Sequence, residues 1–534
     1  MRTLMAAAGF AVLLAMSSRG FCQQLLAGAH KLDITPKGPA WLAGYGANRR
    51  SKGVHDPLHC ACLVMKSGGQ WLAIVSLDLL GFSSYDIKLA TQQVESVPPD
   101  RILVGCTHTH SAPDPFGMWG PTPTMSGRDD AYIAWVRQQI AACVEQAARS
   151  LQPAILFLAS AQAPGLSKNT REKESLDAEV AVLQARSAEG QPPRPGRVIA
   201  TLVNFACHPE IMNNNFVSAD FCGYMCSRIE QKAGGVAVFM NGALGGMVTA
   251  DVPDGGKEGG EHWAQAQQVG EKLADIALAS IEKAQPVSAA AIKFARKSFM
   301  APLENQLWKM LIRAGVLPSA LVSNGSIQTE LAAASLGPAQ IATIPGESYP
   351  RIGFAMKRKM TGQPRFLLGL TLDELGYILL PKDFDAAPGK LYAYESSQSV
   401  GRQIWPKMEA AFDELIQEVK PAMTKPTSPK EWFDSLPRIF RADQAGGFKA
   451  TIEFDMTGSD GGAWTVSIGE GKIAVEQKKT EQPDCTVLIS DKDFMGVLAG
   501  ALDPFSAYQM GRLSIRGDMN VAMRFRELLS AAAE

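Results

Sequence analysis

The sequence predicts an α/β chain, a helix-covered mixed-sheet domain followed by a small α+β domain, and three observations predict it. Length is the first: 534 residues exceed what one core supports, because single cores stop growing at roughly 250–300 residues. The second is alternation. Between residues 27 and 420, short runs rich in Val, Ile and Leu read as strands buried on both faces, and they alternate with segments of helical period. The third is a change of pattern after residue 420. Pro421, Pro426 and Pro429 punctuate a linker over residues 421–430, and residues 431–534 open on strands and close on helices.

Taken in order, residues 1–22 place Arg2 ahead of an apolar run too short to span a bilayer and about the length of a signal-peptide core. They read as an export signal that sends the mature chain to the periplasm or beyond; a retained anchor or a buried helix is the alternative. The runs 71–80, 101–108, 154–160, 198–208 and 235–242 are the expected buried strands. Residues 129–151 and 261–284 repeat their apolar side chains at helical spacing, and residues 219–232 read as a further helix. In the last domain, the alternating segments FKATIEFDM, AWTVSIG and IAVEQ precede helical segments at 491–500 and 519–533, a segregated α+β order.

Composition narrows the function. A formal charge of −1, from 52 Lys and Arg against 53 Asp and Glu, supplies no long-range field to gather phosphates, so nucleic acid is not an expected partner. The nine cysteines form no paired CxxC sets, so a cysteine-bound structural zinc is not indicated. Cys60 and Cys62 fall at strand spacing and Cys222 and Cys226 at helix spacing, which suits core residues, although export would permit disulfides.

The most informative local feature is Cys106-Thr107-His108-Thr109-His110-Ser111, at the end of the run 101–108. On a strand, i and i+2 project to one face, so His108 and His110 would point the same way. Alone, such a pair fits two unrelated histidines as well as half of a metal site. The chain has only 7 His, however, and a third, His208, ends another buried run in Asn204-Phe205-Ala206-Cys207-His208-Pro209-Glu210. Strands of one sheet can bring such ends together where α/β folds place their sites. Neutral imidazole is the usual zinc ligand, and a catalytic zinc takes three protein ligands; a carboxylate is the expected completion.

THTHSAPD (107–114), GVHDP (53–57), SLDLLG (76–81), NFACHPE (204–210), SADF (218–221), NGALGG (241–246), PGE (345–347) and ELGY (374–377) resemble the successive signature segments of the neutral, non-lysosomal ceramidases and their bacterial relatives, in the right order over residues 27–415. The resemblance implies a zinc ion held by His108, His208, Glu347 and Tyr377. It also implies His110 beside the metal and Tyr394 facing the same centre as catalytic residues, and Arg171 in contact with the polar part of the substrate; a plain salt bridge is the other reading of Arg171. The implied reaction is hydrolysis of an amide in a lipid-like substrate. Relatives carry a serine in the segment that corresponds to Gly245-Gly246-Met247-Val248-Thr249, and this chain has none there.

Residues 431–534 resemble the sterol carrier protein type 2 fold through Phe454-Asp455-Met456-Thr457-Gly458, Asp460-Gly461-Gly462-Ala463-Trp464, Pro483-Asp484-Cys485 and Gly511-Arg512-Leu513-Ser514-Ile515. That likeness implies an apolar tunnel walled by Phe494, Met495, Val497, Leu498, Met510, Met519, Val521 and Met523, with an ordinary core as the bland alternative. The whole-chain expectation is a zinc amidohydrolase acting on an apolar amide, with peripheral membrane contact and self-association left open. The alternatives are hydrolysis of another amide or ester, and a noncatalytic lipid binder with a relic metal site.

Overall fold

Strand side chains in the first part of the chain divide between two cores, which is why these runs are apolar almost throughout. In β1 (Leu26–Asp33), β2 (His59–Ser67), β3 (Gln70–Leu77) and β4 (Ile102–Cys106) the two faces are buried differently. Cys60, Cys62 and Val64 of β2 enter the cluster that includes Val136 and Ile140 of the helix α1 (Asp130–Arg149), whereas Ala61, Leu63 and Met65 enter a second cluster on the other face. Asp129 caps α1 by accepting from the backbone N–H groups of Ala131 and Tyr132, a contact worth about 1 kcal/mol.

The computed structural model describes residues 24–529 except 123, 254, 260, 288–289, 318, 320–321, 386–390, 422–425, 427, 441–444 and 500. The expected export segment lies outside the described residues. Among those described, no helix is long and apolar enough to cross a membrane. The chain divides into two compact units between Ala422 and Met423.

In the larger unit, β5 (Gln152–Gln162), β6 (Glu179–Glu189), β7 (Arg194–Phe205), α2 (Asp220–Ala233), β8 (Val236–Asn241) and α3 (Trp263–Glu282) follow. The eight-stranded sheet has the order β8-β7-β6-β5-β1-β2-β3-β4 and is mixed, with β3–β4 and β7–β8 parallel. Its halves are joined at β1–β5 by only two residue pairs, Leu26 with Pro153 and Ala27 with Gln152. So weak a seam lets the halves fold back on each other. α1 covers one half, while α2 and α3 cover the other.

A second sheet comes next: β9 (Ile292–Pro302), then α4 (Gln306–Arg313), β10 (Ser326–Leu336), β11 (Ala339–Thr343), the two-residue β12 (Glu347–Ser348), α5 (Pro350–Lys359) and β13 (Arg365–Leu368). The order is β9-β10-β11-β13. Its inner face, with Ile292, Leu336, Ile341 and Phe366, packs against the second cluster of the first sheet. β14 (Tyr377–Ile378), α6 (Ala393–Ser397) and α7 (Ile404–Glu418) complete the unit, and α7 covers the outer face of the second sheet through Met408, Phe412 and Leu415.

The smaller unit opens on a helix, α8 (Pro429–Ile439), where the sequence suggests the end of a linker and then strands. Pro429 occupies the first helical turn, where its missing N–H is no loss, and Ser428 caps the helix by accepting from Glu431 N. Strands β15 (Ala450–Thr457), β16 (Gly462–Gly469), β17 (Lys472–Glu476) and β18 (Cys485–Ser490) precede α9 (Asp491–Leu498), α10 (Pro504–Gln509), β19 (Leu513–Gly517) and α11 (Met519–Glu527). The five-stranded order is β17-β16-β15-β18-β19. Phe433 of α8 stacks on Trp464 at 4.7 Å, and Phe454, Phe494 and Phe525 complete an aromatic core. Of the anticipated tunnel wall, Phe494 is buried, but Met510, Met519 and Met523 are exposed, as are Phe505 and Tyr508. The short helices α10 and α11 turn these side chains outward.

The cysteines among the described residues carry free thiols; Cys60, Cys62 and Cys222 are fully buried, and Cys226 is partly buried against the core.

Candidate active site

The site forms where the two ends of the eight-stranded sheet are brought together. Asn241, fully buried at the end of β8, donates through Nδ2 to the carbonyls of Thr107 at 2.9 Å and Cys207 at 2.8 Å, and its Oδ1 accepts from Cys207 N at 3.0 Å. The residues after Thr107 and Cys207 are His108 and His208. One amide therefore holds together the segments that follow β4 and β7, which are not neighbours in the sheet.

The histidine pair does not owe its direction to strand alternation. β4 ends at Cys106, and His108 lies beyond it at φ +72, a left-handed backbone rare outside glycine and characteristic of functional sites. The rings of His108 and His110 nevertheless converge, with centroids 5.0 Å apart, and His108 lies 4.9 Å from His208.

Tautomers follow from the backbone. His108 Nδ1 lies 2.6 Å from the Leu80 carbonyl and His208 Nδ1 lies 2.9 Å from that of Val248. A carbonyl only accepts, so both Nδ1 atoms donate and both Nε2 atoms are free to act as ligands. Each Nε2 faces the same carboxylate oxygen, Glu347 Oε2, at 3.5 Å from His108 and 3.1 Å from His208. In that tautomer three lone-pair atoms crowd one point, which only a cation between them reconciles, whether a proton or a metal ion. Two imidazole nitrogens and a carboxylate are a donor set that suits Zn²⁺. Burial raises the Glu347 carboxyl, but His108 and His208 outweigh it and hold it well below the usual range.

β12 pairs with β14 in a register that sets Glu347 opposite Tyr377. The Tyr377 hydroxyl donates to Met247 Sδ at 3.5 Å, and burial, then the Glu347 charge, pushes it well above its ordinary pKa. Tyr394, on α6 and half-exposed, lies 6.0 Å from the Tyr377 ring, and partial loss of water around its hydroxyl, then the Glu347 charge, pushes it up to about 12. Both stay protonated near neutral pH and can donate.

His110 is buried with neither ring nitrogen hydrogen-bonded among the described residues. Its Nδ1 is 3.8 Å from Glu210 Oε2. Burial, with His108 and His208 close by, lowers its pKa well below the ordinary value, so the ring is neutral and has a lone pair to offer. With His108 and His208 it makes a buried three-histidine group whose ligand atoms lie within 4.8 Å of one another. Gly44, at φ +99, makes room for this ring: a Cβ there would sit 2.4 Å from His110 Cγ.

Arg171 is placed differently. Its Nε donates to the fully buried Glu395 at 2.6 Å, and it is not among the residues that line the cavity. The ion-pair reading of Arg171 is thus the contact seen, and it braces the residue next to Tyr394.

The cavity holds about 450 Å³ and reaches from His108, His110, Glu347, Tyr377 and Tyr394 to a mostly apolar wall. Glu374 lines it too, with its carboxyl raised by burial and then by the Glu347 charge. Asn241, Glu210 and Glu374 were not legible as site residues; they lie in the segments NGALGG, NFACHPE and ELGY, but nothing in their spacing announces a clamp, a neighbour for His110 or a second carboxyl in the cavity.

A cavity-bearing two-sheet domain with a buried histidine cluster defines the class, and comparison with known proteins gives particulars. The chain shares its fold with neutral ceramidase from Pseudomonas aeruginosa, with a TM-score of 0.61 over 83% of this chain and 84% of that one at 16% identity. A ceramidase complexed with C2 gives a TM-score of 0.62 over 84% and 85%, also at 16% identity. Residues 438–530 match the SCP-2 sterol transfer family. Over 83 residues, 16% of the chain, the sequence is 34% identical to sterol carrier protein 2 of Homo sapiens, of which it spans 15%. Over 123 residues it is 27% identical to hydroxysteroid dehydrogenase-like protein 2 of Bos taurus, spanning 29% of that protein. The chain thus joins a neutral-ceramidase fold to a C-terminal SCP-2 domain.

Proposed function

We propose that the larger unit is a zinc-dependent hydrolase of an amide bond in a lipid-like, N-acyl substrate. The observation that carries this reading is the pair of Nε2 atoms directed at one oxygen of Glu347, at the polar end of a cavity whose wall is mainly apolar. His108, His208 and Glu347 hold the metal, with Tyr377 beside Glu347. When bound, Zn²⁺ supplies Lewis acidity that polarises a carbonyl and makes water acidic enough to act near neutral pH. The protein does the rest. Leu80 and Val248 fix the two imidazole tautomers, and neutral His110 can take or return a proton at the scissile group. Tyr394 keeps its hydroxyl proton and donates it to the oxygen on which charge develops. Arg171 acts through Glu395 or turns to the polar part of the substrate. The absence of serine in Gly245–Thr249 departs from the ceramidases at a segment near the site, so the substrate of this chain is proposed as an N-acyl amide and not as ceramide itself.

In the same proposal, residues 1–22 direct export, and the SCP-2 domain holds an apolar guest, supported by the match of residues 438–530 to the SCP-2 sterol transfer family.

The test is metal analysis of the pure protein together with turnover of a panel of N-acyl amides and esters. About one zinc per chain and amide cleavage are expected. His208→Ala should lose both. A zinc-free wild-type protein without turnover sinks the hydrolase reading in favour of a lipid binder with a relic site, and cleavage of esters alone moves it to another substrate.

A further inference from the structure

A neutral imidazole carries one N–H donor and one lone pair, so each of the three clustered histidines must have its proton assigned to one nitrogen. For His108 and His208 a backbone carbonyl at Nδ1 makes the assignment. Neither nitrogen of His110 has a hydrogen-bond partner among the described residues. What stands beside its Nδ1, at 3.8 Å, is the carboxylate oxygen Glu210 Oε2, and both residues are only 7% exposed.

Backbone contacts keep this pair side by side. His110 N donates to the Pro209 carbonyl at 3.1 Å, so the two segments meet at the residues concerned. The Tyr45 hydroxyl donates to the Glu210 carbonyl at 2.7 Å, and the Arg49 guanidinium donates to the His110 carbonyl at 3.5 Å. Gly44 backs the Nδ1 edge of the ring: a Cβ there would stand 2.4 Å from Cγ and 2.7 Å from Nδ1. A bare Nδ1 would set its lone pair against a carboxylate in a buried site, where little solvent screens the repulsion, whereas an Nδ1–H would present its positive end to the same oxygen. The separation is longer than a hydrogen bond, but Glu210 lines the cavity, and rotation of its carboxylate into contact closes the gap.

We propose that Glu210 is a positioning residue: its carboxylate accepts from His110 Nδ1–H and leaves the lone pair on Nε2, the atom at which His110 takes up and returns a proton. The proton transfer rests on the hydrolase reading; the tautomer does not. A buried carboxylate can hold an imidazole in one tautomer and one orientation, and only the nitrogen without hydrogen can accept a proton. In the other tautomer the lone pair would face Glu210 instead of the reaction.

The experiment uses the full-length, zinc-loaded protein with ¹⁵N-labelled histidine. Long-range proton–nitrogen correlations identify the protonated nitrogen of each ring, and the signals missing from His110→Ala assign His110. Wild type should show Nδ1–H. In Glu210→Leu the proton should move to Nε2, with kcat lower by roughly 10–100-fold and KM and zinc content unchanged. Glu210→Gln, whose amide oxygen can still accept, should restore the Nδ1–H signal and most of kcat. Nε2–H in the wild type overturns the proposal before any variant is made. So does an Nδ1–H that persists in Glu210→Leu, even if that variant is slow, because Glu210 would then be a structural neighbour only. Wild-type Nδ1–H that depends on Glu210, in a protein without turnover, would keep the tautomer assignment while sinking the hydrolase reading.

Discussion

His110 is the residue on which the chemistry can be divided most sharply. Its nitrogens have no hydrogen-bond partner among the described residues, yet it stands within ligand range of His108 and His208. If it moves a proton rather than holds the ion, His110→Ala keeps zinc and loses roughly 10²–10³ in turnover. A zinc-free variant would make it a ligand. Asp220 offers a test of pH dependence. Its carboxyl accepts from Met212 N and Phe221 N, yet burial prevails and raises its pKa from 3.8 to about 7. Folding therefore favours the protonated form. The resulting stabilisation is full below pH 3.8 and is lost as pH rises through about 7. Asp220→Asn removes that dependence, so thermal melts between pH 4 and 8 should show the variant gaining on wild type as pH rises. A constant gap between the two would dismiss it.

The strands themselves were legible from periodicity, because β2, β3 and β4 bury both faces and so read as unbroken apolar runs. The closure of the sheet was not. It depends on a two-pair seam between β1 and β5 and on Asn241, whose amide bridges backbone segments at residues 107 and 207. Side-chain amides carry no periodic signature. Asn241→Ala leaves four buried backbone groups, the Thr107 and Cys207 carbonyls and the Cys207 and Gly242 N–H groups, without that partner, at a cost on the order of 3 kcal/mol, and should separate His108 from His208. Denaturant melts and zinc content read this together; wild-type metal retention in the variant would show that the clamp does not position the ligands. Likewise α8 was hidden within a proline-rich stretch, because Pro429 reads as a breaker although the first turn of a helix accepts it.

At the scale of the whole molecule, the two compact units make a truncation informative. A chain ending after Pro421 should stay folded and zinc-loaded and keep turnover on a short, soluble amide. It should work poorly on a long-chain one, because the SCP-2 domain would no longer supply apolar contact worth about 0.8 kcal/mol per buried CH₂. Equal loss of both activities would make the domain structural; equal retention would leave it without a part in catalysis. By itself the sequence determined the α/β character of the larger unit, the break near residue 421 and the segments that carry the site, because burial periodicity and motif order are local properties of the chain. Tertiary structure alone decided that His108 turns through a left-handed residue to meet His208, that Arg171 spends its charge on Glu395, and that Met510 and Met523 face outward. Those outcomes depend on which distant groups fold into reach of one another, and residues 139 positions apart, such as His208 and Glu347, acquire a shared electrostatic problem only once the two sheets have packed.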